Sequence, residues 1–408
     1  MTQFEIKKVL AKTSSKIALL LLILLVGSTC YFAVGKVAYV NEQGDSETGV
    51  SAVRKLRDAK NEWAGELTGE KLRQVIEAND RINRTVEYRS ENEKENNIAY
   101  SWKQGFGDIR NLLVRAFCEF REFDYYRPDS LSPEDAENFY TRRIEQLKTW
   151  LDGEAKDAYS LEEKDFLMKQ YEELKTPLEY GYADGWKQVF EFTPALLMIM
   201  TLIMGFLVAG IFPGEFQTKA CAVFYTSYHG RGKAVAAKIK AGFLLITAVY
   251  WASVLLYSGI VLGILGADGA GLAVQTSAAS WISLYHITFG QAYLIIFAGG
   301  YVGILFVLFL TMLVSAKTGS SVLAVIIPFI LIFIPSFLTG SSIPVIRDLV
   351  GLLPDQLLQL NMTLSMFNIY RIGGRVYGSL GILPVLYAVL TLLIVPAVYH
   401  IYRRAQIK

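Results

Sequence analysis

Histidine and cysteine are scarce in this 408-residue chain, which has three of each. No histidine occurs between residues 41 and 187, so a histidine-based metal or catalytic site is excluded from that stretch. The cysteines, Cys30, Cys118 and Cys221, are an odd number spread over three different regions, which excludes a disulfide-stabilised secreted domain. The phosphate-binding pattern G-x-x-x-x-G-K-[S/T] is also missing, so the sequence offers no P-loop for a nucleotide.

Apolar residues are abundant instead: they make up 52% of the chain and gather in six long runs. A run of roughly 20 apolar residues crosses a bilayer core of about 30 Å as a helix. The sequence therefore predicts an all-α membrane protein with six transmembrane helices and a helical domain inserted between the first and the second. The predicted spans are 17–40, 188–212, 241–266, 288–314, 319–339 and 379–402.

Charge divides the chain into two chemically different parts. Residues 41–187 contain 23 Lys and Arg against 32 Asp and Glu, whereas the rest of the chain contains 17 against 6. Lys and Arg collect on the cytoplasmic side of membrane proteins. They are frequent in residues 1–16, in the 213–240 connection and at the C-terminus, and the 267–287 connection has none. We therefore expect a multi-pass protein of the cell membrane, with both termini and the 213–240 loop cytoplasmic, residues 41–187 extracellular, and residues 188–408 forming a five-helix transmembrane domain.

Helix-capping patterns predict a helical bundle for residues 41–187. Ser132-Pro133-Glu134-Asp135 reads as a helix start, Ser160 and Glu163 as a capping box, and Thr68 as a further cap. The many carboxylates are read as solvated helix faces, and no convergent set of His, Cys or acidic residues marks a catalytic or metal centre. The aromatic cluster of Phe120, Phe123, Tyr125 and Tyr126 could form a ligand site, a core edge or a contact with the membrane surface.

Small residues and short apolar stretches mark further features of the membrane part. Gly259/Gly263 and Gly299/Gly303 have the small-xxx-small spacing of closely packed helices. The stretches 345–353 and 357–366 are too short to span, and we expect re-entrant or interfacial helices there. Glu191, His286 and His400 are expected at the membrane interfaces.

The 213–240 loop carries the most informative local pattern. Glu215 follows the second span, a short amphipathic segment runs from Lys219 to Tyr228, and a basic turn with Arg231 and Lys233 precedes Lys238. Such a segment with a basic turn behind it could dock a partner protein. The alternative is an anchor loop beside lipid headgroups, as the positive-inside rule would produce.

These features resemble the permease subunits of ABC type 2 transporters, particularly the six-span Firmicute kind with a large domain after the first span. The matching residues in the loop are Glu215, the turn Tyr228-His-Gly-Arg-Gly-Lys233, and Ala237-Lys238. A second match near the end comprises Leu353-Pro354, Phe367-Asn-Ile-Tyr370, Gly373, Ile382-Leu-Pro-Val-Leu-Tyr387 and Tyr402-Arg-Arg404. Pro213-Gly214 departs from the pattern, because it predicts an early helix end before Glu215.

The resemblance implies a bacterial exporter subunit that forms the translocation path and is not itself an enzyme. Separate cytoplasmic ABC ATPase subunits would bind ATP and Mg, so no cofactor is expected in this chain. A second permease subunit, identical or related, would complete the path; the bilayer is the other partner, and no nucleic acid is expected. The residues implied to couple the loop to the ATPase are Glu215, Lys219, Arg231, Lys233 and Lys238.

The sequence leaves the substrate and the substrate-binding residues open. It also leaves a second function class open, a membrane-anchored sensor or binding protein whose extracellular domain recognises a peptide.

Overall fold

A computed structural model describes residues 1–217, 226–338 and 344–404. The chain is 70% helical. Within the described ranges, six helices are long and apolar enough to cross a membrane. The expectation of a mainly helical, multi-pass membrane protein is confirmed at this level.

Eighteen described helices are used below, and α2, α10, α12, α13, α14 and α18 are the six apolar ones. They are α1 Thr2–Ala11, α2 Thr13–Gly35, α3 Val50–Asn61, α4 Gly69–Asn83, α5 Val86–Arg89, α6 Glu93–Lys103, α7 Gly107–Phe117, α8 Phe139–Asp152, α9 Leu161–Glu172, α10 Asp184–Ala209, α11 Gly214–Gln217, α12 Lys233–Leu265, α13 Phe289–Thr318, α14 Ser321–Leu338, α15 Pro344–Val350, α16 Asp355–Leu358, α17 Leu360–Thr363 and α18 Ser379–Arg403.

Three short antiparallel ladders add strands that the all-α expectation did not include. They pair β1 Ala38–Val40 with β2 Ser46–Thr48, β3 Gly65–Glu66 with β4 Glu179–Tyr180, and β5 Ile369–Ile372 with β6 Arg375–Gly378. The β5–β6 hairpin turns at Gly373 and Gly374, whose φ angles of 58° and 79° suit a tight two-residue turn.

Three of the apolar helices begin or end at residues other than those predicted, because a strand or a charged turn adjoins the apolar run. The first span was expected over 17–40, but α2 ends at Gly35 because 38–40 pair with 46–48. The second and third spans begin earlier than expected, α10 at Asp184 and α12 at Lys233. Hydropathy marks the apolar part of a helix, whereas charged turns can continue the same helix beyond it.

The capping patterns in 41–187 are confirmed. Thr68 caps α4, and Ser160 and Glu163 form the capping box of α9. Ser132 and Asp135 also form a capping box, but the turn that they open is a 3-10 helix over Pro133–Asn138 that leads into α8.

Residues 41–187 share their core with two connections from the membrane part. Trp281, which is 1% exposed, packs its ring 4.9 Å from that of Phe139. Phe120 is buried against Trp150 and Phe367, with ring centroids 4.9 and 5.8 Å away, so this member of the aromatic cluster is a core residue. Residues 41–187, named here the inserted segment, therefore form one body with residues 266–288 and 367–378. We call this body the far end of the molecule.

Two short helices that follow α14, α16 and α17, pack into the bundle. Leu357 of α16 packs against Gly303, where an added Cβ would meet the Leu357 Cβ at 2.8 Å. Gly303 lies 14 residues after the start of α13, which corresponds to about 21 Å along the helix. Gly299 and Gly303 thus make room for α16 and α17 to pack against α13 inside the bundle. By contrast, nothing lies within 4 Å of a Cβ built on Gly259 or Gly263.

Candidate functional site

A buried ion network lies at the opposite end of the bundle, which we call the N-terminal end. Lys238 of α12 is 0% exposed. Its Nζ lies 2.7 Å from Glu215 Oε1 and 3.0 Å from Glu5 Oε2. Lys8 Nζ approaches the same Glu215 oxygen at 2.5 Å. These four residues, named here the Lys238 network, carry two positive and two negative charges.

Three helices bring the Lys238 network together. Glu5 and Lys8 are three residues apart on α1, so both lie on one face of that helix. Lys238 lies in the second turn of α12, and its ammonium also donates to the Ile211 carbonyl at 3.0 Å. Glu215 is the second residue of α11, which begins four residues after Gly210, the C-cap of α10. The residues between α10 and α11 therefore bring Glu215 next to Lys238.

The electrostatics of the network favour its ionised form. Burial raises the pKa of Glu215, but the ammonium groups of Lys238 and Lys8 outweigh burial and hold this pKa below its usual value. Removing one partner of a buried pair leaves a charge without compensation and typically costs about 3–5 kcal/mol. The network therefore fixes the relative position of α1, α11 and α12.

Tyr402 adds the last apolar helix to this assembly. Its hydroxyl donates to the Phe212 carbonyl at 3.0 Å and lies 3.4 Å from Glu215 Oε2. The two rings of Phe212 and Tyr402 pack at 4.6 Å. The segment between α10 and α11 is thus attached to α18 as well as to α12.

The basic turn, residues 228–233, lies on the surface beside this network. Tyr228 is 96% exposed, and Arg231 and Lys233 are exposed. Arg231 Nη1 donates to the Arg403 carbonyl at 3.4 Å, which places the turn next to the end of α18. The turn presents an aromatic ring and two cations on a rigid support.

The five residues implied as coupling residues fall into three groups. Glu215 and Lys238 are buried partners of one another, whereas Arg231 and Lys233 are exposed on the basic turn. Lys219, with most of the predicted amphipathic segment, lies outside the described residues. Sequence reasoning missed Glu5, Lys8 and Tyr402. The one available signal was that Glu5 is the only acidic residue in 1–16.

A second buried ion cluster lies at the far end and was not predicted. Lys60 Nζ lies 2.6 Å from Asp184 Oδ2 and 2.9 Å from Asp108 Oδ2, and Lys187 Nζ lies 2.7 Å from the same Asp108 oxygen. Burial opposes the charge of Lys60, but Asp108 and Asp184 outweigh it and raise the Lys60 pKa well above its usual value. Burial likewise opposes the charge of Asp108, but Lys187 and Lys60 hold its pKa well below the usual value.

This Lys60 cluster joins the inserted segment to the membrane part, because α3 and α7 supply Lys60 and Asp108 while α10 supplies Asp184 and Lys187. Its ammonium and carboxylate groups face one another and compensate each other's charge. The arrangement is suited to holding two parts of a protein together.

Arg143 makes a third attachment at the far end. Its guanidinium, 2% exposed, donates to the carbonyls of Trp281 at 3.2 Å and Ser283 at 3.0 Å. Its Cζ lies 3.8 Å from the centre of the Tyr171 ring. Helix α8 is thereby fixed to the connection between α12 and α13.

Two of the predicted interfacial residues, Glu191 and His286, take part in contacts at the far end. Glu191 forms an ion pair with Lys36 near the start of α10. His286 Nε2 lies 2.8 Å from the Gln170 carbonyl. Among the described residues, no group of three or more His, Cys, Asp or Glu side chains is placed to hold a metal ion.

Compared with family models, curated proteins and solved structures, the chain matches no family, no relative and no fold neighbour.

Proposed function

We propose that this chain is the membrane permease subunit of an ATP-driven exporter, coupled to separate ATPase subunits through the basic turn. In this proposal the N-terminal end is cytoplasmic, the far end with residues 41–187 is extracellular, and a second permease copy or a related subunit completes the path. ATP and Mg bind in the ATPase partner. Six apolar helices and the concentration of Lys and Arg at the N-terminal end support this topology.

The observation that carries the proposal is the exposed basic turn mounted on the Lys238 network. Arg231 and Lys233 are accessible to a partner, while Lys238 and Glu215 behind them are buried and paired. A push on the turn would pass into α12 directly, into α1 through Glu5 and Lys8, and into α18 through Tyr402. Such a connected support is what a partner that moves the helices requires.

Contacts at the far end attach the inserted segment to the membrane helices that would move. The Lys60 cluster fixes the inserted segment to α10, and Arg143 fixes it to the connection between α12 and α13. The extracellular domain would therefore move together with the helices, and it would not hang from a flexible linker.

Purification of the tagged chain from its own cells, in mild detergent, tests this function. The proposal expects a P-loop ATPase subunit at a fixed ratio to the chain and ATP hydrolysis by the purified assembly. A reconstituted chain that moved its substrate with no ATPase present would contradict it.

The second candidate is a membrane-anchored sensor that binds a peptide at its extracellular domain. It is favoured by a cavity of about 570 Å³ within the inserted segment, lined in part by Phe117, Phe120, Gln146 and Trp150. A cavity of this size can take several side chains of a peptide. Peptide binding to the full chain with no transport and no ATPase partner would favour the sensor over the exporter.

A further inference from the structure

A cavity of about 530 Å³ opens at the N-terminal end, between the start of α2, the end of α10 and the start of α14. Neither ion cluster forms its lining, and it lies beside the Lys238 network. Its lining has a polar part, which includes Lys12, Ser15 and Ser321, and an apolar part, which includes Phe206, Val325 and Phe329.

The polar part contains a lysine without an acidic partner. Lys12 Nζ donates to the Gly210 carbonyl at 3.1 Å, and the missing side chain of Gly210 makes room for it. Among the residues that the structure describes, no carboxylate lies within 4.0 Å of this ammonium, although it is half-buried. Burial, followed by the charges of Lys8 and Lys238, lowers the pKa of Lys12, and the carboxylates of Glu215 and Glu5 offset this lowering only in part. An anion in the cavity would supply the missing negative charge.

Ser15 provides a second, independent indication of a ligand. It lines the cavity and is 3% exposed, and its side chain makes no hydrogen bond with any other described residue. Its hydroxyl can therefore donate a hydrogen bond to a group in the cavity. The N-terminal turns of α2 and α14 also line the cavity, and the positive end of a helix dipole favours negative charge.

The apolar part of the cavity continues into the surface that faces the membrane. Phe206 is 53% exposed and Val322 is 74% exposed, and Phe329, about two helical turns after Val322, is 39% exposed. Water does not stabilise such a surface, whereas acyl chains do. The cavity thus joins an anion-attracting part to a part that hydrocarbon chains can fill.

We propose that this cavity binds the phosphate headgroup of an anionic phospholipid from the adjacent leaflet, with its acyl chains lying along α10 and α14. Lys12 and the Ser15 hydroxyl donate hydrogen bonds to the phosphate. Basic pockets between transmembrane helices are suited to such headgroups. The lipid would occupy the gap between α2, α10 and α14. It would also act on the Lys238 network, because Lys12 interacts electrostatically with that network.

The test is a titration of the purified full chain in detergent with dioctanoyl phosphatidylglycerol, dioctanoyl phosphatidylcholine or inorganic phosphate, followed by native mass spectrometry. The expected result is saturable binding of phosphatidylglycerol with at least about tenfold preference over phosphatidylcholine. Both lipids carry the phosphate, but the choline ammonium of phosphatidylcholine cancels its negative charge next to the Lys12 ammonium. Lys12→Gln should remove that preference. Lys16→Gln is the matched control, because Lys16 is exposed on the same helix and does not line the cavity.

A second variant keeps the test informative if Lys12→Gln alters folding. Val325→Trp fills the apolar part and leaves Lys12 intact, and it should weaken phosphatidylglycerol binding by about tenfold while the thermal unfolding temperature without lipid stays unchanged. Three results would overturn the proposal. They are equal binding of the two lipids, phosphatidylglycerol binding that Lys12→Gln leaves intact, and binding of inorganic phosphate as tight as that of the lipid.

Discussion

Lys238 and Glu215 are 23 residues apart in sequence, yet the ammonium of the first lies 2.7 Å from the carboxylate of the second inside the protein. The pair is completed by Glu5 and Lys8 from the N-terminal helix. The chain therefore closes its N-terminal end with charges that three separate helices contribute. The same contacts hold the base of the exposed basic turn.

Lys238→Met should be strongly destabilising. It leaves Glu5 and Glu215 without the buried ammonium that joins them, and breaking a buried ion pair costs about 3–5 kcal/mol. Unfolding in detergent, followed by circular dichroism, measures the loss. Lys240→Met is the control, because Lys240 is exposed on the same helix and should change stability by less than about 0.5 kcal/mol. If the network is cooperative, adding Glu215→Gln to Lys238→Met should cost less than the sum of the two single changes.

Asp108→Asn should remove a pH-dependent part of the stability. The folded-state pKa of Asp108 is depressed, so its contribution is complete above the pKa of an unfolded aspartate, about 3.9, and is lost as pH falls below it. The folded-state pKa of Lys60 is raised, so its contribution is complete below about 10.4 and is lost as pH rises further.

The difference in unfolding free energy between the wild type and Asp108→Asn should therefore be constant from about pH 5 to about pH 9 and shrink below about pH 4. Unfolding at a series of pH values measures it. Asp152→Asn changes an exposed carboxylate of the same segment and is the control. A difference that grew as the pH fell below about 4 would contradict the ionised Lys60 cluster.

Arg143→Lys should loosen the far end without unfolding the membrane helices. A lysine cannot reproduce the forked contacts to the Trp281 and Ser283 carbonyls, and each lost charge-assisted hydrogen bond is worth about 1.5–3 kcal/mol. Hydrogen exchange in residues 274–288 should then rise. Arg142→Lys, next to it and exposed, should leave exchange unchanged.

Gly303 and Gly263 each belong to a small-xxx-small pair, but their replacement by alanine should change the stability in opposite directions. Gly303→Ala places a Cβ 2.8 Å from the Leu357 Cβ and should destabilise by about 1–3 kcal/mol, because α16 must move. Gly263→Ala meets nothing within 4 Å and should stabilise its helix by up to about 1 kcal/mol. Unfolding of both variants under one condition measures the contrast. Equal effects would contradict the seating of α16 against α13.

Local signals in the sequence predicted the six apolar helices and several caps, because each depends on residues close together in the chain. The Thr68 cap and the Ser160–Glu163 capping box are examples. The ion networks could not be predicted in this way. Lys238 was placed in a basic loop, but Glu5, which partners it, lies 233 residues away. Trp281 likewise looks like part of an apolar connection, and only the fold places it in the core of the inserted segment.

The most direct test of the proposed function is the affinity between the purified chain and the ATPase subunit that this function requires. Arg231→Glu combined with Lys233→Glu should weaken this binding by at least about tenfold, because two exposed cations of the basic turn become anions. The matched control is Lys7→Glu with Lys16→Glu, an equal change of charge on exposed residues near the same end, and it should retain binding. Unchanged affinity and unchanged ATP hydrolysis in the Arg231/Lys233 variant would contradict the account.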